Sequence, residues 1–515
     1  MTQLTRSQPL ARVLLRLGIA HLWIVIVLAG IGSWIALAPT PPNDFWWHLK
    51  AGQLVAMRGI PQTNLFAWTL PPDHPYVYAT WLGEWLFFQL YQLAGLQLVT
   101  FARNVLGLMA FALVAVDARR RSHSWRLAAI ATALAGAMTI NNLIIRTQNW
   151  SWVPFGVYVL ILGAYAEGQL RPRRLVVLPL IMVFWVNAHG AFVLGLAILA
   201  IYALGETLRR LLKHPGALWW ERIFPLYGAL VGAVAATLIN PLGFGIFGYV
   251  LKLLTDPSSQ QLVVEWQPPT THSIAGFIFY ATLLVFLMAL AWARRRPSIT
   301  DMLLVCAFLW LAWSGQRYVV WFGMVAMPIL AQCFAAPPGS SVRSSVRVGM
   351  TSVNFLIAGA LVVMWLAVQP PFKASLALPR IYVDNFADLP GAPLTFDNAN
   401  PVAATEYLRT HPQPGRLFNE MGYGSYLDWA LYPQIQVFID PRVELYPMEL
   451  WQDYIAITNA RDYNTLLIQK YNITRVMLDR EFQPKLAEAL RRDHEWMLEY
   501  QDHRTEIYRR PRRDT

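Results

Sequence analysis

Nine polar residues stand at the ends of apolar segments or in the stretches between them: Asp44, His48, Glu84, Arg146, Gln148, Asn187, His189, Glu265 and Arg317. Their types suit transfer from a lipid phosphate at a membrane surface. Arginine binds phosphate through paired N–H donors and stabilises charge on a leaving group. A carboxylate accepts the proton of an acceptor hydroxyl. Asp44 is the best-placed base, because it precedes Phe45-Trp46-Trp47-His48, where partial desolvation tunes a carboxylate. Arg146 (in RTQN) and Arg317 (in SGQR) are the phosphate-binding candidates, and His48, Glu84, Gln148, Asn187, His189 and Glu265 are candidate substrate-lining groups.

Each residue also has a plainer reading. Asp44 suits the N-cap of the helix that follows it. Arg146 and Arg317 suit snorkelling or headgroup contacts. His189 beside Gly190 suits a hydrogen-bonded structural histidine in a tight break, and Asn240-Pro241-Leu242-Gly243 reads as a helix stop. The weight lies in co-location, since no single motif is strong. Near the C-terminus, Asn419-Glu420 followed by Tyr423, and Asp440-Pro441-Arg442, fall where strands should end, a common place for ligands in α/β sheets. A structural Asp440–Arg442 pair is the competing account.

These residues need elements to hold them, and composition shows what kind. The chain of 515 residues is 56% hydrophobic and 14% charged, more apolar surface than a soluble protein of this length buries. Ten of the 30 acids precede Pro370 and twenty follow it, so the net charge of +12 divides into +15 and about −3. The basic residues form short clusters between apolar stretches, which is a topology signal and excludes a nucleic-acid-binding face. Cys306 and Cys333 lie in apolar segments without metal-ligand spacing, so neither a disulfide framework nor a zinc site is expected.

Apolar segments long enough to span fall at about 18–38, 98–117, 127–145, 151–168, 175–188, 190–208, 223–239, 273–292, 299–313, 318–335 and 349–369. The first lacks a small-residue cleavage site and reads as a retained helix. Eleven spans with the N-terminus in the cytoplasm put 19 basic residues inside (Arg6, Arg12, Arg16, Arg343 and Arg347 among them) and 6 outside. Two further helices, 44–57 and 81–94, are expected at the outer interface, within a long aromatic loop over 39–97 that hugs the membrane, with a short span as the alternative for 81–94. The predicted architecture is an α-helical polytopic membrane protein with a C-terminal soluble α/β domain on the outer face. Its parts are a membrane region over 1–370, a connecting segment over 371–400, and a domain over 401–515. Short β-rich runs are predicted at 417–418, 436–439, 475–478, 496–500 and 506–508, with helices at 401–410 and 481–492.

The order of Asp44-Phe45-Trp46-Trp47-His48-Leu49, Gly59-Ile60-Pro61, Phe66, Trp81-Leu82, Arg146, Trp185-Val186-Asn187-Ala188-His189-Gly190, Asn240-Pro241-Leu242-Gly243, Glu265-Trp266 and Gln316-Arg317 resembles bacterial membrane proteins of the GT-C glycosyltransferase superfamily, which includes the protein O-mannosyltransferases and aminoarabinose transferases. Gly415-Arg416-Leu417-Phe418-Asn419-Glu420, Gly422-Tyr423-Gly424 and Val437-Phe438-Ile439-Asp440-Pro441-Arg442 resemble the soluble domain of that group. The resemblance implies a bacterial inner-membrane protein with a polyprenyl-phosphate-linked sugar donor, a glycan, lipid or protein acceptor, an acidic base in the first outer loop, and inversion at the sugar carbon. It leaves a divalent metal open. Asp44 occupies the place of the acid. Asn64 stands where an acid often precedes the Phe, and Ala79-Thr80 where His-Glu commonly precedes Trp-Leu. Glu84 could compensate, since residues four apart share a helix face. Those departures keep a second reading in view, a non-catalytic GT-C-derived subunit that supports a larger membrane complex. Solute transport is a weaker third, because the polar groups gather at one face instead of the bilayer midplane.

Overall fold

The computed structural model describes residues 17–336, 351–387 and 392–511. The expected inner-face residues Arg6, Arg12, Arg16, Arg343 and Arg347 lie outside these. The N-terminal part is helical: α1 (Ile19–Leu37), α2 (Phe45–Arg58), α3 (Trp81–Ser122), α4 (Trp125–Met138), α5 (Asn149–Ala166), α6 (Val177–Ala188), α7 (Phe192–Leu211), α8 (Trp220–Thr237), α9 (Gly245–Leu254), α10 (Pro257–Leu262), α11 (Ile274–Ala291), α12 (Ile299–Ser314), α13 (Val319–Cys333) and α14 (Thr351–Ala367). Among the described residues, α1, α3, α7 and α11 are long and apolar enough to cross a membrane. Trp23, Ile130, Leu180, Val231, Leu284 and Trp310 are left on the outside of the bundle, as suits a surface whose solvent is hydrocarbon. The chain is thus a helical membrane protein.

The predicted interfacial helix over 81–94 and the span that follows form one element, α3, interrupted by non-helical backbone at Ala94 and Gly95. Gly95 has φ +63°, a conformation that favours glycine. Side chains distant in sequence complete the end of α1. Arg103 donates to the carbonyls of Ile35 (2.9 Å) and Ala38 (3.4 Å), Lys373 to Ala36 (3.2 Å) and Tyr382 to Leu37 (2.8 Å). Carbonyls without intrahelical partners thereby gain donors, two of them cationic, at the negative end of the helix. At the other end of the bundle Arg121 bridges Asp117 (2.9 Å) and Asp301 (2.9 Å) and donates to Gln332 (3.1 Å), tying α3 to α12 and α13.

The C-terminal part contains α15 (Val402–Thr410), β1 (Arg416–Asn419), α16 (Met421–Leu431), α17 (Met448–Thr458), β2 (Ile473–Asp479), α18 (Pro484–Arg492), β3 (Met497–Gln501) and β4 (Thr505–Arg509). The sheet runs β1-β2-β4-β3, with β1 parallel to β2 and the other pairs antiparallel. Phe418 pairs with Val476, which pairs with Tyr508. The predicted strand over 436–439 does not join this sheet. Val437 forms a single parallel bridge with Ala67 instead.

That bridge belongs to a larger junction. The 39–97 segment contributes Trp47, Phe66, Ala67, Tyr76 and Tyr78 to a core shared with Phe418, Phe438, Ile439, Tyr446 and Trp451. Trp68 Nε1 donates to Leu417 O (3.1 Å), Thr69 Oγ1 to Phe438 O (2.7 Å), and Ser425 Oγ to Asn43 O (2.6 Å). The aromatic loop therefore serves the C-terminal domain, where its composition alone suggested a membrane surface. Aromatic side chains suit either setting, because both bury an apolar body and satisfy a polar tip.

Candidate functional site

A cavity of about 390 Å³ opens between the helices, the 39–97 segment and the C-terminal part, a size suited to a small ligand or headgroup. Asp44, His48, Glu84, Arg146, Gln148, His189, Glu265, Arg317 and Arg442 all contribute to its wall. The loop bearing Asp44, the segment before α5, the break between α6 and α7, and the turn before α13 bring these groups together from across the sequence.

Asp44 immediately precedes α2 but its side chain caps nothing. It faces Arg146 instead, in an ion pair at 3.5 Å (Oδ2 to Nε). Arg146 is also hydrogen-bonded to Glu265, so it lies between two carboxylates. Burial alone would raise the Glu265 carboxyl, but Arg146 overrides this and holds it below its ordinary value. Arg317 has no carboxylate partner among the described residues. Its guanidinium lies 4.5 Å from the centre of the Trp266 ring and 5.9 Å from that of Tyr318, a contact that leaves the N–H donors at its rim available.

His48 and Glu84 form a second group. His48 Nδ1 donates to Glu84 Oε1 at 2.8 Å, and Thr80 Oγ1 donates to the same oxygen at 2.8 Å. Glu84 has no solvent exposure, and its Oε2 lacks a partner. Two glycines permit this packing. A Cβ at Gly52 would sit 2.1 Å from the carbonyl oxygen of Glu84, and one at Gly83 would sit 2.6 Å from that of Ala188.

His189 ends α6 in extended conformation. Its Nδ1 accepts from the Ala191 amide (3.1 Å) and from Ser151 Oγ (3.0 Å), while Ser151 Oγ accepts from Trp185 Nε1 (2.8 Å). The ring proton therefore sits on Nε2. Burial, with the nearby Arg317 and His48, lowers its pKa to about 3, so the imidazole is neutral and its Nε2–H is a donor.

Other candidates lie elsewhere, apart from Arg442, which reaches the cavity wall. Asn187 accepts from Trp81 Nε1 (2.9 Å) and donates to Val183 O and Ile239 O, joining helix ends outside the cavity. Asn419 fastens β1 to the 438–439 segment through Ile439 O and the Phe438 amide. Glu420 caps α16 by accepting from the Tyr423 amide, and Tyr423 OH bonds Asp479 and Thr505 inside the domain. Asp440 is buried and grips Arg442 through two bonds of 2.9 and 2.6 Å. Arg442 in turn lies near the rings of Trp47, Phe66 and Tyr76 at 5.7, 4.9 and 4.8 Å and donates to Asn64 (3.1 Å). These contacts join the Asp440–Arg442 turn to the 39–97 segment.

Sequence reasoning missed Glu444, Tyr76 and Tyr249, all in the cavity wall. Nothing in their local sequence marks them, since they arrive there only once the domain docks. No group of three or more His, Cys, Asp or Glu among the described residues is arranged to hold a metal ion, and no step is assigned to one.

Neither a family model nor a curated protein sequence matches the chain. Solved structures do. The archaeal oligosaccharyltransferase AglB from Archaeoglobus fulgidus, in complex with an inhibitory peptide and a dolichol-phosphate, aligns with a TM-score of 0.52 at 13% identity, over 96% of this chain and 74% of that one. The arabinofuranosyltransferase AftD from Mycobacteria aligns with a TM-score of 0.52 at 16% identity, over 96% of this chain and 42% of AftD. At these identities the likeness establishes the fold.

Proposed function

From a chain built on the fold of the GT-C glycosyltransferases, we propose a transferase that moves a sugar from a polyprenyl phosphate to an acceptor at the outer face of a bacterial cytoplasmic membrane. One observation carries the proposal: Asp44, Arg146 and Arg317, from three distant stretches, converge on one cavity beneath the C-terminal domain. In the reaction the acceptor oxygen attacks the anomeric carbon of the sugar. Asp44 takes the acceptor proton, and the carbon–oxygen bond to the phosphate breaks with its electron pair passing to the phosphate oxygen. Attack opposite the leaving group inverts the anomeric carbon. Arg317, the arginine without a carboxylate partner, binds the phosphate and stabilises its developing charge. Arg146 serves as a positioning residue that aims Asp44, an adjustment to the initial expectation that both arginines bind phosphate. Gln148, His48, Glu84, Glu265 and the Nε2–H of His189 line the site. Eleven spans, a cytoplasmic N-terminus and an extracytoplasmic C-terminal domain complete this reading.

A second reading, a non-catalytic subunit of a larger membrane complex, draws on Asn64 being occupied by Arg442 and on the apolar Ala79 in the cavity wall. One experiment separates the two. Surface glycans and lipid-linked sugars are compared in cells carrying the wild-type gene, a deletion, Asp44→Asn and Arg317→Ala, with membrane levels of each variant checked. We expect Asp44→Asn to lose the same sugar as the deletion, with transfer reduced at least about 100-fold. A deletion that leaves every glycan unchanged, or an Asp44→Asn strain indistinguishable from wild type, overturns the transferase reading.

A further inference from the structure

Part of the cavity wall comes from the C-terminal domain, and its charge is informative. Glu444 lies in the single turn Val443–Leu445 that follows Asp440-Pro441-Arg442. Because Asp440 and three aromatic rings lock Arg442, this turn is held in place. Tyr76 OH donates to Glu444 Oε1 at 3.2 Å, and Tyr249 of α9 belongs to the same wall. Among the described residues no basic group forms a direct ion pair with Glu444; Arg442, bound to Asp440, acts on it only through its charge at longer range.

The whole cavity shows the same imbalance. Asp44, Glu84, Glu265 and Glu444 supply four carboxylates, while Arg146 is shared by two of them. The fully buried Glu84 Oε2 in that wall has no hydrogen-bond partner. With Arg317 given to the donor phosphate, the other arginines of the wall are already engaged by carboxylates, Arg146 by Asp44 and Glu265 and Arg442 by Asp440. A carboxylate without a direct ion pair in such a wall favours an ammonium group.

We propose that Glu444, with Tyr76 and Tyr249, forms the acceptor subsite and selects an acceptor bearing an ammonium group. The inference rests on the transferase reading for the word acceptor, while the ammonium site itself is testable alone. Burial raises the Glu444 carboxyl above its ordinary value, although the Tyr76 hydrogen bond and the Arg442 charge pull it down, and a bound cation would offset that burial.

The test uses the full-length protein in nanodiscs and three probes with one alkyl chain: dodecylammonium, dodecyl phosphate and dodecanol. Binding is read by native mass spectrometry and by the shift in melting temperature. We expect Glu444→Gln, which retains an acceptor for Tyr76 OH, to weaken dodecylammonium binding at least about tenfold and leave the other two probes unchanged. Tyr76→Phe, which keeps the charge, should retain most ammonium binding. Arg317→Ala should weaken dodecyl phosphate only. Equal ammonium binding by wild type and Glu444→Gln, or no preference of the wild type for ammonium over dodecanol, overturns the subsite. Phosphate binding indifferent to Arg317→Ala counts against the donor assignment instead, so the two failures are distinguishable.

Discussion

Asp44 illustrates how one residue type admits two roles until its surroundings are known. Before a helix, an aspartate is the expected cap, yet Asn43 accepts from the Phe45 amide instead (3.2 Å), and Asp44 turns to Arg146. His189 gives a prediction at the same scale. With a folded-state pKa near 3 and an unfolded value near 6.5, the unfolded chain takes up a proton that the folded ring refuses throughout that window. Its contribution to stability is therefore fully present above about pH 6.5 and declines as pH falls toward about 3. The melting temperature of the purified protein should drop between about pH 7 and pH 5, and His189→Asn should flatten that drop. Identical slopes would mean that His189 is not held neutral. The sequence makes Asp44, His48, Arg146, His189 and Arg317 legible because polar groups at the ends of apolar segments are costly and few. It could not show that Asn187 is spent on Trp81, since the two are far apart in the chain.

At the scale of elements, ends and crossings carry the information. Helix positions follow from apolar runs, and starts from local chemistry: Ser298 and Asp301 form a reciprocal cap on α12, and Ser273 caps α11. What the runs do not reveal is how helices are fastened. Arg121 is the clearest case, a side chain 3% exposed that holds Asp117 and Asp301 together. Arg121→Met would leave Asp301 buried without its cation, while Asp117 keeps its pair with Arg120 at 2.6 Å, and should cost about 3–5 kcal/mol. The check is thermal or denaturant unfolding in detergent, where the double variant Arg121→Met/Asp301→Leu should recover part of the loss. An unchanged midpoint for the single variant would show that the network contributes nothing. The strand expected over 436–439 failed for a related reason. Its β-type residues are buried between a neighbouring loop and β1 without pairing into the sheet, and periodicity reports burial without naming the partner.

For the whole molecule, the junction between the 39–97 segment and the C-terminal part decides whether there is a cavity at all. Arg442 is fully buried between Asp440 and the rings of Trp47, Phe66 and Tyr76. Arg442→Leu strands Asp440 in the core, at an expected cost of about 3–5 kcal/mol. The domain should then release its grip on the loop, which limited proteolysis would detect as faster cleavage within 371–400. Unchanged protection there would mean that the remaining apolar contacts hold the domain unaided. The sequence by itself determined the class of this protein, since its apolar excess, the spacing of its hydrophobic runs and its split charge are properties of composition and order. It also determined which polar residues were worth examining. Only the tertiary structure decided that Arg146 lies between Asp44 and Glu265, that Arg317 stands without a carboxylate partner, and that Glu444 enters the cavity from a separate domain. Such facts depend on contacts between residues hundreds of positions apart, and local chemistry does not encode which distant groups meet when apolar surfaces are buried together.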